Sequence, residues 1–174
     1  MINTDYPIKA LDILLDVRCL PERYSPLPGY KNNLISALQG GGCKTKSDAE
    51  KLPDAFFIKA GICDDKIISL FRRFLIMYDP KPAKFKEIKN ITSEQDKQKT
   101  FYELYHLPGV KQTRATLYYL AGYKTLKDFA EASPEEVLKK TTLLIKKEKL
   151  SFIAPLPKEV RTQIAVAKAF TMSE

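Results

Sequence analysis

Apolar residues recur along this chain at three- and four-residue spacing, which gathers them on one side of an α-helix. Ile8, Leu11, Ile13, Leu14 and Leu15 predict a short helix within residues 4–16, ending before Pro21. Ile67, Ile68, Leu70, Phe71, Phe74, Leu75 and Met77 form a broader stripe, fit for the centre of a core, on a helix that begins after a break at Gly61 and runs to Tyr78. Val160, Ile164 and Ala167 mark one side of a last helix over 158–170.

Shorter elements lie between them. Ser47 with Glu50 three residues on spells a capping box, and Pro53 opens a further turn with Phe56, Phe57 and Ile58 facing inward. Thr92 or Ser93 caps a helix through Phe101, Leu104 and Tyr105, and Ser133-Pro134-Glu135-Glu136 starts another, with five lysines around Leu143, Leu144 and Ile145 over 139–149. Gly40-Gly41-Gly42 stops a helix over 31–38, since no phosphate-loop pattern surrounds it. Arg72 and Arg73, near the end of their helix, answer either the helix dipole or a polyanion.

Asp79-Pro80-Lys81-Pro82 is the firmest boundary. The expectation is an all-α fold of two tandem small helical units. The first spans 1–79 with a hairpin at 27–38, and the second spans 91–174 with a hairpin at 107–120. A basic, proline-containing linker over 80–90 carries Lys81, Lys84, Lys86 and Lys89.

The two hairpins rest on a duplicated tripeptide. Leu107-Pro108-Gly109 is turn punctuation, and Ala115, Tyr118 and Tyr119 at helical spacing show a new helix starting near Lys111. The first amides of such a helix have no partner within it, and Lys111 and Arg114 stand beside them, so the place suits a phosphate. Leu27-Pro28-Gly29 aligns on it at a constant offset of 80 residues, and the match continues through Gly42 on Gly122, Lys44 on Lys124, Thr45 on Thr125 and Asp48 on Asp128.

This run resembles the helix-hairpin-helix motif of non-sequence-specific DNA-binding proteins, whose pattern is apolar, Pro, Gly, apolar, Gly, three variable residues, Ala. Leu107, Pro108, Gly109, Val110 and Ala115 match, and lysine replaces the second glycine in both copies. Residues 101–140, and more weakly 23–59, also resemble the hairpin and its C-terminal continuation in DNA helicase ratchet domains and in the RNA polymerase alpha C-terminal domain. The resemblance implies that Gly109, Val110 and Lys111 present backbone amides to a phosphate. Lys111, Gln112, Thr113, Arg114 and Lys124 supply charge or hydrogen bonds. In the first copy the corresponding residues are Gly29, Lys31, Asn32 and Asn33, where asparagines lower the charge and leave a weaker or purely structural hairpin. A plain helical turn is the competing reading.

Charge agrees with a polyanionic partner. The net charge is +8 over 174 residues, and from Lys81 onward 18 Lys and Arg face 11 Asp and Glu, for +7, while the first 80 residues hold 11 against 10, for +1. A solvated lysine-rich surface gives the same count.

Catalysis is not expected. Glycosylase-lyases of this family use a lysine where Thr113 stands, and the attacking amine is indispensable to that chemistry. No paired carboxylates, metal-ligand cluster or cofactor motif is evident, and His106, the only histidine, reads as a packing or capping residue. Cys19, Cys43 and Cys63 have neither disulfide nor zinc spacing and read as buried, reduced thiols. Lacking a long apolar run or a signal-like start, the chain is expected in the cytoplasm, off the membrane. Its expected partner is DNA, duplex or single-stranded. RNA binding is the alternative, as is a protein-interaction module using Tyr118, Tyr119 and Tyr123.

Overall fold

The computed structural model describes residues 5–78 and 102–172. The expected linker over 80–90 and the cap at Thr92 or Ser93 lie outside the described residues. Those described are helical, with an isolated antiparallel bridge between Pro7 and Thr45 and no strand among them, so the fold is all-α. No helix among them is long and apolar enough to cross a membrane. Two compact units result, Met1–Asp79 and Pro80–Met172.

The first unit contains α1 (Ile8–Leu14), a 3-10 turn (Glu22–Tyr24), α2 (Leu27–Gly40), α3 (Lys46–Lys51), α4 (Asp54–Lys59) and α5 (Asp65–Met77). Helix α5 begins where the Asp64 carboxylate accepts the Lys66 amide at 2.9 Å, and it buries Ile67, Ile68, Phe71, Phe74 and Leu75. Phe71 stacks on Phe74 at 5.8 Å and meets the edge of Phe57 at 5.8 Å, the offset and edge-on geometries that aromatic quadrupoles favour. Leu11, Leu14, Leu27, Leu34 and Leu38 complete this core.

Several expectations change here. The capping box uses Thr45 and Asp48 instead of Ser47 and Glu50. The Asp48 carboxylate accepts the amides of Lys44 and Thr45 at 3.0 and 3.1 Å, which hold it below the usual carboxylate range. Glu50 pairs with Lys46 at 2.7 Å instead. Ile58 faces outward, while Phe57 is fully buried. Arg72 lies outside the last turn of its own helix and is engaged within the unit: it donates to the carbonyls of Ala49, Glu50 and Leu52 and to Asp54 Oδ1 at 2.8 Å, closing the C-terminal end of α3. Cys43 is buried, but Cys63 is exposed on the turn before α5 and Cys19 is half-buried.

The largest correction concerns residues 27–38. They form no hairpin, because Leu27, Pro28 and Gly29 are the first three residues of α2 itself, which runs to Gly40. Pro26 and Pro28 both carry the φ that a helix start needs, so the chain passes from the 3-10 turn straight into α2. Gly29 has no positive φ.

The second unit holds a helical turn over 102–104, then α6 (Gln112–Leu120), α7 (Leu126–Glu131), α8 (Pro134–Lys147) and α9 (Pro157–Thr171). Ser133 caps α8 by accepting the Glu136 amide at 3.1 Å. Helix α9 buries Val160, Gln163, Ile164, Val166, Ala167 and Phe170 and is the centre of this core. His106 is a packing residue. It is fully buried, its Nδ1 donates to the Tyr102 and Glu103 carbonyls at 2.9 and 3.2 Å, and its ring lies edge-on to Tyr102 and Phe170.

The joints α2–α3 and α6–α7 share their hydrogen bonds. Gly42 and Gly122 take φ of +75° and +97°, and the amides of Cys43 and Tyr123 close back on Leu38 and Tyr118 at 2.9 Å. Thr45 and Thr125 then each cap the next helix in a reciprocal pair with Asp48 and Asp128.

Candidate nucleic-acid interface

The chain reverses over residues 107–111. Gly109 supplies φ of +73°, a left-handed conformation that a side chain would strain. Leu107 and Val110 are buried on either side of it, and the Val110 amide turns inward to Leu107 O at 3.2 Å. Val110 therefore anchors the turn and does not present its amide outward, contrary to expectation.

Lys111 is the N-cap of α6, in extended conformation, and no side chain caps the helix. The ladder begins with the Ala115 amide on Lys111 O at 2.8 Å. The amides of Lys111, Gln112, Thr113 and Arg114 thus have no partner within the helix. Lys111 and Thr113 are exposed, Gln112 is half-buried, and no acidic residue lies in the first turn. Helix α6 shares that lack with α1 and α2, whereas α3, α4, α5, α7, α8 and α9 each place an Asp or Glu there, offsetting the positive end of the helix dipole. At α6 a lysine stands at the positive end, and the Glu159 carboxylate meets the first turn through the Arg114 guanidinium.

Arg114 points elsewhere. Its Nε and Nη2 hold the Glu159 carboxylate at 3.1 and 3.3 Å, and Nη1 donates to Ile153 O at 2.7 Å. It is a clamp within the unit, not a free cation. Lys124 is also separated from the turn: its Nζ lies 5.1 Å over the Tyr119 ring, near the far end of α6, about 12 Å along the axis from Lys111. Its amide is taken by Asp128 Oδ2 at 2.7 Å.

The back of the turn is held by a side chain that the sequence did not single out. Gln163, fully buried on α9, donates to Pro108 O at 2.9 Å and to Glu159 Oε1 at 3.2 Å, and accepts the Tyr118 hydroxyl at 2.5 Å. Burial raises the Tyr118 pKa, with Glu159 adding to the effect, so Tyr118 stays a neutral donor. Glu103, also buried, accepts the Leu126 amide at 3.0 Å and fixes the start of α7. A glutamine on an otherwise apolar helix side was the available signal, because a buried amide must find partners.

The first-copy residues form no comparable site. Gly29, Asn32 and Asn33 are exposed on α2, and Lys31 pairs with Asp12 at 3.3 Å. Lys31, Asn32 and Asn33 lie beyond the first four helix positions, so their amides belong to the helix ladder. The tyrosines offered for protein docking are largely buried as well: Tyr118 and Tyr123 are in the core and Tyr119 is half-buried. No protein-family model matches the chain, and neither the curated proteins nor the solved structures give a match.

Proposed function

We propose that this protein binds DNA without catalysis and without reading base sequence, gripping phosphate through the 107–111 turn and the start of α6. One observation carries the reading: four helix-start amides, with no side-chain cap and no first-turn acid, meet at the exposed Lys111. Oriented amides and a cation together favour a phosphate oxygen and carry no sequence information. The resemblance of 107–115 to the helix-hairpin-helix motif and the basic second half support the same partner. The role of each residue is narrower than its family match implies. Lys111, Gln112, Thr113 and Arg114 contribute amides, Lys111 contributes charge, and Gly109 shapes the turn, while Val110 and the Arg114 side chain hold it in place.

The test is a mobility-shift titration of the full chain on unrelated duplexes and single strands at low and moderate salt. The expected result is affinity that is indifferent to sequence and falls with salt, with a log–log slope of about −2 to −4 for a few neutralised phosphates. Absence of binding at low salt would overturn the assignment.

A further inference from the structure

We infer that the loop over 149–156 supplies a second, apolar contact to the strand held at the 107–111 turn, an inference that rests on the DNA-binding reading above. Ile153 is 84% exposed and Leu156 68%, yet the loop bearing them is well held. Lys149 takes a left-handed φ of 49° and the Leu150 amide closes on Ile145 O at 3.0 Å, ending α8. Pro155 is buried, and the Leu156 amide donates to Glu159 Oε2 at 3.3 Å. The Arg114 guanidinium reaches Ile153 O at 2.7 Å. Because Arg114 is the third residue of α6, this clamp fixes the loop within one arginine side chain of the helix start whose first four amides have no partner within the helix.

Single exposed aliphatic residues are ordinary on protein surfaces. Two of them, three positions apart on a pinned loop beside a basic helix start, make a different case. Their surroundings identify the occupant: Lys146, Lys147, Lys149 and Lys158 are all exposed, against one exposed carboxylate in that stretch, Glu148. A partner combining negative charge with accessible apolar faces meets both requirements. Nucleic acid with unpaired bases has this chemistry, since phosphates answer the lysines while unstacked bases and sugars offer the surface that a closed duplex hides. Ile153 and Leu156 therefore bias binding toward single-stranded or frayed DNA.

The experiment titrates full-length wild type, the Ile153→Ser/Leu156→Ser double variant and Lys111→Glu against a labelled single strand and its duplex. Wild type is expected to prefer the single strand. The double variant should lose about five- to tenfold on the single strand, as expected for removing roughly two exposed aliphatic contacts. Its duplex affinity should change little, and its salt slope should stay the same because no phosphate contact is removed. Thermal unfolding of the double variant should match wild type, as both side chains face solvent. If the double variant retains wild-type single-strand affinity while Lys111→Glu weakens binding, the loop inference fails alone, and the loop is left as a protein-docking surface. A duplex preference in wild type also overturns it. If wild type binds neither DNA at low salt, or Lys111→Glu binds as wild type does, the DNA-binding reading falls and the loop contact with it.

Discussion

Leu-Pro-Gly occurs twice, eighty residues apart, and the two copies differ in conformation. At 27–29 the tripeptide is the first turn of α2, while at 107–109 it is a reversal that ends before α6 begins. The chain preceding each copy decides the outcome. Ahead of Leu27, Pro26 and the 3-10 turn at Glu22–Tyr24 already lead toward a helix. Ahead of Leu107, a helical turn and the buried His106 must stay in the core, so the chain folds back and Gly109 takes the positive φ that permits it. The consequence is a difference in donors. Of the four amide positions at the start of α2, Pro26 and Pro28 have no N–H, leaving two donors; all four at the start of α6 have one.

The largest expected effect comes from removing the side chain that holds the second copy's turn from behind. Gln163→Leu would leave the buried Tyr118 hydroxyl and the half-buried Pro108 carbonyl without their partner, and should destabilise the protein by about 2–4 kcal/mol in denaturant titrations. Unaltered stability would mean that the turn does not need α9.

Charge reversal separates the copies by function. Lys111→Glu should weaken DNA binding by about tenfold or more, roughly 1.4 kcal/mol. Lys31→Glu, which loses a partly exposed ion pair with Asp12, should leave binding unchanged and shift stability by less than about 1 kcal/mol. Equal losses of affinity from both would erase the distinction drawn between the helix starts.

The glycines give the smallest contrast, with opposite signs. A Cβ at either position meets nothing within 4 Å, so backbone conformation alone decides. Gly109→Ala should lower stability by about 1–2 kcal/mol. Gly29→Ala should raise it by about 0.5–1 kcal/mol, since the helical backbone accepts alanine and the unfolded chain loses freedom. Melting curves with the same sign for both would contradict the assigned conformations.

Sequence spacing carried the helix sides and their stops, because helical hydrogen bonds and caps join residues three or four positions apart. The stripe on α5, the cap at Ser133, the break at Gly61 and the start of α6 near Lys111 all appear as expected. Overlapping local signals were harder to rank: Thr45/Asp48 and Ser47/Glu50 spell the same capping pattern, and the Lys46–Glu50 pair removes the second from contention.

The side chains misjudged from sequence are those whose partners lie far along the chain. Arg114 looked like a phosphate ligand until Glu159, 45 residues on, engaged it. Arg72 reads as a surface cation, yet the end of α3 lies against it, and Lys124 sits close to Lys111 in sequence although the length of α6 separates them. The sequence by itself determined where helices form and where glycine lets the chain turn, because those choices are settled within a few residues. What holds the second Leu-Pro-Gly in its turn, and which cations remain free beside it, was decided by packing against α9, since hydrogen bonds between distant segments exist only once the core has brought them together.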